Sequence, residues 1–257
     1  MELRHWARQC LLAITMLLAL SGFAPALAQP DDLAALNRQI GQLYQASKYD
    51  EAIPLAQRLV ELSGIRFGKE SREHANALAV LGDLYREKGR YAEAEPLYQS
   101  ARSKLEKALG QNHREMGQSL NRLALLYWAQ GRYAEAEPLY KRALAIDEKA
   151  LGPDNPAIGT VLNNLAVLYV RQGRYAEAEP LYERARAIAE KALGPDHPDV
   201  GRALTHLALL YANQGRYAEA EPLYKRALAI RERALGPNHR RASTAERSQG
   251  SVMAVPE

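Results

Sequence analysis

One ten-residue run constrains this chain more than any other property: Gly131-Arg132-Tyr133-Ala134-Glu135-Ala136-Glu137-Pro138-Leu139-Tyr140. It recurs at 89–98, 173–182 and 215–224. The tyrosine after Gly-Arg stands at Tyr91, Tyr133, Tyr175 and Tyr217, a constant step of 42 residues. One step earlier lies Tyr49, in the looser copy Tyr49-Asp50-Glu51-Ala52-Ile53-Pro54-Leu55. A fixed period of this length marks stacked supersecondary units, each burying its apolar face on its neighbours. The 257 residues therefore read as one elongated domain rather than two globular ones.

The 34 basic and 30 acidic residues leave a net charge of +4, spread along the chain. Nucleic-acid binding wants a clustered basic face, so the charges read as a solvated surface and no nucleic-acid partner is expected. The first 28 residues differ in kind. Arg4 and Arg8 precede the apolar run 11–20, and Ala26-Leu27-Ala28 gives a small-x-small site. That pattern reads as a cleavable signal peptide with an expected cut before Gln29, and it is short for a membrane span. An uncleaved anchor is the alternative. The one cysteine, Cys10, lies in this segment, so the expected mature chain has no disulfide, thiolate metal site or cysteine nucleophile. Periplasmic or secreted localisation follows, with no stable membrane span after cleavage.

Each unit reads as two antiparallel helices. Leu162, Leu165, Ala166 and Tyr169 keep one helical face, Gly173 stops the helix, and a second starts near Tyr175. Ala178, Leu181, Tyr182, Ala185, Ile188, Ala189 and Ala192 line its stripe, which Gly194 ends. In the loop Leu151-Gly152-Pro153-Asp154-Asn155-Pro156, Asn155 is placed to cap and Pro156 to open the next helix. Glu137 with Lys141, and Glu221 with Lys225, are spaced for i,i+4 pairing. Pro54, Pro96, Pro138, Pro180 and Pro222 fall past the first turn of each second helix. A bend or a loose first turn is the expected accommodation. The first copy is degenerate. Tyr44 to Tyr49 spans five residues where Tyr85 to Tyr91 spans six, which suggests a turn one residue short, with Ser47 near the glycine position. After Gly236-Pro237-Asn238-His239 the pattern ends, and 240–257 reads as a disordered tail. No polar capping helix follows, so the last helix is expected to expose apolar surface, open to self-association.

The series Leu165-Ala166, Tyr169, Gly173, Tyr175, Ala178, Tyr182, Ala185 resembles the tetratricopeptide repeat. The period of 42 and the run from Leu162-Asn163-Asn164-Leu165-Ala166 to Pro195-Asp196-His197-Pro198 resemble its kinesin-light-chain-type variant. The resemblance covers about residues 33–239 and implies five repeats across 29–239. It implies an all-α, right-handed solenoid of antiparallel helix pairs and a role in protein–protein contact. It carries no implication of a motor partner, since fold alone does not set function.

Chemistry is sparse. His113, His197 and His239 share one repeat position with Asn155. Equivalent positions in stacked helices lie about 8–10 Å apart, too far to share a zinc with ligands about 2 Å away. They read as loop residues, and His74 and His206 as surface or groove residues. Glu135 and Glu137 point in different directions, and no nucleophile elbow, phosphate loop or dinucleotide fingerprint is present. No enzyme, cofactor or metal is expected.

What remains is a groove. In tetratricopeptide arrays the first helices line the concave face. The resemblance places Asn121, Leu125, Trp128 and Ala129 there in the third copy. It places Asn163, Val167, Val170 and Arg171 in the fourth, and Arg202, Thr205, Leu209, Ala212 and Asn213 in the fifth. These positions change between copies while the framework scarcely does. Neutral drift would look the same. Asn121 and Asn163 are suited to the backbone of an extended peptide, and Leu125, Val167 and Leu209 to an apolar floor. Trp128 is expected exposed in the groove as the anchor, because Arg86, Val170 and Ala212 replace it elsewhere; packing between neighbouring repeats is the alternative. The reading is an exported scaffold that binds a peptide or protein. The alternatives are a self-assembling module and an accessory subunit of an enzyme encoded elsewhere.

Overall fold

The computed structural model describes the backbone from Asp32 to Gly250 and the side chains as far as Leu235. The expected signal segment and Cys10 lie outside the described residues, as do 251–257. Helices come in pairs: α1 (Leu33–Gln45) with α2 (Tyr49–Phe67), α3 (Arg72–Glu87) with α4 (Tyr91–Leu109), and α5 (Arg114–Ala129) with α6 (Tyr133–Leu151). Then come α7 (Ile158–Arg171) with α8 (Tyr175–Leu193), and α9 (Pro198–Asn213) with α10 (Tyr217–Gly250). Each helix packs on its sequence neighbours. Among the described residues there is no strand. The fold is an all-α solenoid.

The apolar spacing explains the packing. Leu162, Leu165, Ala166 and Tyr169 are all buried, as are Ala178, Tyr182, Ala185 and Ile188. Ala192 falls off the stripe and is exposed. From α2 to α9, glycine ends each element where the backbone must turn left-handed: Gly173 at φ +73° inside a pair, Gly194 at φ +87° between pairs.

The prolines do not break the second helices, which run nineteen residues each from α2 to α8. Pro138 is the sixth residue of α6, so its missing amide leaves only the Ala134 carbonyl, in the first turn, without a donor. Ala134 and Pro138 are both exposed, and water can serve that oxygen.

Three expectations are corrected. The first turn is not short: Lys48 N–H donates to the Leu43 carbonyl at 2.9 Å, as Arg90 does to Tyr85 at 2.8 Å and Arg132 to Tyr127 at 2.8 Å. Leu43, not Tyr44, occupies the repeated tyrosine position, the period holds, and Ser47 takes the glycine conformation at φ 57°. Second, Pro156 does not open α7, which starts at Ile158. Asn155 Oδ1 still accepts from Ala157 N–H at 3.0 Å, so this cap closes a turn ahead of the helix. Third, α10 continues through Gly236-Pro237 to Gly250, past the stop expected at that glycine. Earlier inter-repeat glycine junctions turn back under a following first helix. Here no such helix is described, and 241–250 holds helix-compatible Ala, Arg, Glu and Ser.

A ladder keys one repeat to the next. Arg132 donates to Glu135 of its own repeat at 2.7 Å and to Glu95 of the preceding one at 2.8 Å. Arg174 does the same with Glu177 and Glu137 (both 2.6 Å), and Arg216 with Glu219 (2.7 Å) and Glu179 (2.9 Å). Each guanidinium also lies 4.0–4.1 Å over the tyrosine that closes its first helix: Tyr127, Tyr169 and Tyr211. The expected i,i+4 pairs form as well, Lys141–Glu137 at 2.7 Å and Lys225–Glu221 at 2.6 Å.

Candidate protein-binding face

Successive first helices touch, α3 with α5 and α5 with α7, while successive second helices make no comparable contact. The first helices therefore line the inner side of the curve. Residues at i and i+4 on α7 and α9 face it together with the start of α8. There a concavity of about 530 Å³ is lined by Val167, Val170, Arg171, Tyr175, Tyr182, His206, Leu209, Leu210 and Asn213. Five of the residues expected in the groove, Val167, Val170, Arg171, Leu209 and Asn213, thus meet in one hollow.

His206, read as a surface or groove residue, stands in its wall. Its ring lies edge-on to Tyr182, with centroids 5.4 Å apart, and its Nδ1 is buried without a partner. Burial, aided by nearby Arg202, pushes its pKa below the usual imidazole value. The hollow is thus apolar-walled, with a neutral imidazole at its side and the exposed Arg171 at its rim.

The other expected groove residues are distributed differently. Asn121 lines a separate cavity, and its Oδ1 accepts from Asn164 Nδ2 at 3.0 Å. Its oxygen is therefore committed to the next repeat. Asn163 and Arg202 line a smaller cleft of about 60 Å³. Asn163 Oδ1 is buried without a partner, and Arg202 is held by Asp199 at 2.9 Å. Thr205 Oγ1 bonds back to the Gly201 carbonyl at 2.9 Å within its own helix. Leu125 is half-buried against the core.

Trp128 is corrected most. It is half-buried and packs on the core rather than standing free. Its indole N–H is buried with no acceptor, and Arg171 lies 6.0 Å over the ring. The ring closes the space between repeats, while Arg171 presents the charge. His74 is likewise not at the surface. It is buried, with Nδ1 3.1 Å from the Val60 carbonyl and 3.3 Å from Ser63 Oγ, and burial lowers its pKa. His113 and His197 serve as helix caps, their Nδ1 accepting from Glu115 N–H at 3.3 Å and Asp199 N–H at 3.2 Å. Sequence reasoning passes over Asn164, Tyr175, Tyr182 and Asp147. The doubled Asn163-Asn164 is the available signal for the first.

The sequence matches the tetratricopeptide repeat family over residues 31–107, 115–191, 158–233 and 199–254, and the chain belongs to that family. A search of curated proteins finds no match. Among solved structures it is similar to the nearly identical TPR-like repeats of a Podosopora anserina kinesin-light-chain candidate. That likeness has 26% identity and TM-score 0.66, covering 81% of this chain and 99% of that one. BtubC (BKLC) from P. vanneervenii aligns with 21% identity and TM-score 0.61, over 80% of this chain and 91% of that one. MamA aligns with 18% identity and TM-score 0.51, over 76% and 96%. The last two likenesses concern fold alone. The family and fold are those of a protein–protein interaction scaffold.

Proposed function

We propose that this chain is an exported, non-catalytic scaffold that holds an extended segment of a partner protein along its first-helix face. The observation that carries the reading is the hollow between α7 and α9. It gathers variable residues on a repeated frame, apolar at the floor and charged at the rim. A pocket of this kind orients a guest by a few polar groups and holds it by apolar contact. The export half rests on Arg4, Arg8, the apolar run 11–20 and Ala26-Leu27-Ala28.

A photo-crosslinker at Leu209 should trap a specific protein in cells, and one at the outer-face residue Lys149 should not. Equal capture at both positions rejects the groove. The trapped partner then allows a paired measurement on Trp128→Ala. The half-buried ring should cost about 1–3 kcal/mol of stability on truncation, more than a surface residue. Partner affinity should fall as well, because Arg171 loses the ring beneath it. N-terminal sequencing of the protein should find Gln29, and intact Met1 on a cytosolic protein removes the export half.

A second reading, self-association, has its own observation. Tyr224, Leu228 and Leu235 on α10 form an exposed apolar face. Concentration-dependent mass on a sizing column, abolished by Leu228→Glu, supports it.

A further inference from the structure

Asp147 is a buried carboxylate with no partner. It sits on α6 and is 6% exposed. Its Oδ1 makes no hydrogen bond and packs against the Gly117 backbone, where a Cβ would come within 2.6 Å of that oxygen. Leaving an acceptor buried and unserved costs about 1–3 kcal/mol, more for a charge, so it calls for an explanation. The equivalent positions one and two periods back are Leu105 and Ser63; one period on it is Ala189. Ser63 is just as buried but satisfied, bonding the Val60 carbonyl at 2.9 Å. The unserved acid belongs to this repeat alone.

It also borders an open space. Asp147 lines a cavity of about 320 Å³ with Arg114, Gln118, Asn121 and Arg122 of α5, Leu151 of its own helix, and Ala157, Thr160 and Val161 beside α7. Two amides and a hydroxyl surround the opening, with aliphatic walls from Leu151 and Val161. The charged groups facing the acid are Arg114 and Arg122; α7 brings none. Arg122 is committed to Asp83 at 3.2 Å. Arg114 is exposed and forms no ion pair with Asp147. Burial raises the Asp147 pKa, and Arg114 offsets only part of it.

We infer that the cavity between α5, α6 and α7 is a subsite for a basic side chain, a lysine or arginine head entering to pair with Asp147. The aliphatic stem would lie on Leu151 and Val161, and Gln118, Asn121 and Thr160 would reach the main chain carrying it. Oδ1 is sealed against Gly117, so the head would meet the carboxylate by its other oxygen, and a charge-assisted hydrogen bond from an ammonium or guanidinium there offsets the cost of the buried acid. The inference sharpens the proposed groove but is tested apart from it.

The experiment titrates the Asp147 carboxyl by carbon-13 NMR in the full chain. The probes are Nα-acetyl-lysine methylamide, the arginine equivalent and the uncharged norleucine equivalent. The expected result is a carboxyl pKa above the usual aspartate range in free protein, lowered by either basic probe and unmoved by norleucine. Asp147→Asn should weaken basic-probe binding about tenfold or more while melting at or above the wild-type temperature. An Asp147 pKa already low in free protein, and raised by Arg114→Gln, means that Arg114 fills the site from within and overturns the inference. So does equal binding of norleucine, no shift with any probe, or unchanged binding by Asp147→Asn. Probe binding without any trapped groove partner would leave this subsite standing and reject the groove. A trapped partner indifferent to Asp147→Asn, with no probe binding, would do the reverse.

Discussion

Residues 131–146 and 215–230 are the same sixteen amino acids in the same order, yet the two segments end in different surroundings. Tyr140 on α6 is wholly buried, and Tyr224, its double on α10, is 37% exposed. Tyr133 is partly buried, and Tyr217 is 70% exposed. Meanwhile Ala136 and Ala220, and Ile146 and Ile230, are buried in both. One face of the second helix packs on its own first helix and is closed wherever the segment occurs. The other face is closed only by the first helix of the next repeat, as α7 does for α6. The pair makes half a core, and the neighbour makes the rest.

The largest test of this account is deletion. Removing 134–175, one whole period, should leave a shorter helical protein that still melts cooperatively. Removing half of that span should set like faces against unlike ones and give an aggregated or unfolded chain by circular dichroism. Equal unfolding by both deletions would end the linear-array account.

Next comes the tyrosine pair. Tyr140→Ala opens a cavity under α7 and should cost about 3–5 kcal/mol in chemical denaturation. Tyr224→Ala, with its ring partly in water, should cost under about 1 kcal/mol. Similar losses would mean that α10 is covered in solution, by a second copy or by a partner.

The smallest effect distinguishes the carboxylates of the same two segments. Arg174 first, then Lys141 and Tyr169, hold the Glu137 pKa down to about 2 against the opposing effect of burial. Glu221 is lowered by Lys225 alone. A carboxylate held low in the folded state adds stability above its unfolded pKa, about 4.3. That stability is lost as pH falls from there toward about 2. Glu137→Gln should therefore flatten part of the acid limb of the stability curve, and Glu221→Gln should leave it close to wild type. Identical acid limbs for the two variants would detach Glu137 from the joint.

The helix pairs are legible because a period of 42 fixes which residues are equivalent. The sequence misleads where identity is followed instead of count. Tyr44 draws attention as a tyrosine, whereas Leu43 is the residue one period before Tyr85. The ladder is not legible because Arg174 and Glu137 are 37 residues apart and meet only after two repeats stack. Glu137 is visible to the sequence only as an i,i+4 partner of Lys141. Of the groove, Val167, Val170, Arg171, Leu209 and Asn213 follow from their place on the first helix. Trp128 is misjudged because variation among copies does not require exposure. An inter-repeat space can be filled by a tryptophan in one copy and by something smaller in another. Asp147 gives no signal, since its burial depends on the backbone of Gly117 across the helix pair.

The arginine ladder has a consequence for how such a chain can change over generations. Arg132, Arg174 and Arg216 make the same bonds one repeat back, so the ladder itself carries no address. A unit copied or lost in register meets a neighbour that already offers the same ion pairs, whatever fills the rest of the interface. The first joint is the exception. Ile53 stands where Glu95, Glu137 and Glu179 stand later, and Arg90 is left with Glu93 of its own repeat. Instead, Lys88 reaches back to Asp50 at 2.9 Å. The first described repeat thus cannot take its neighbours' place in the ladder.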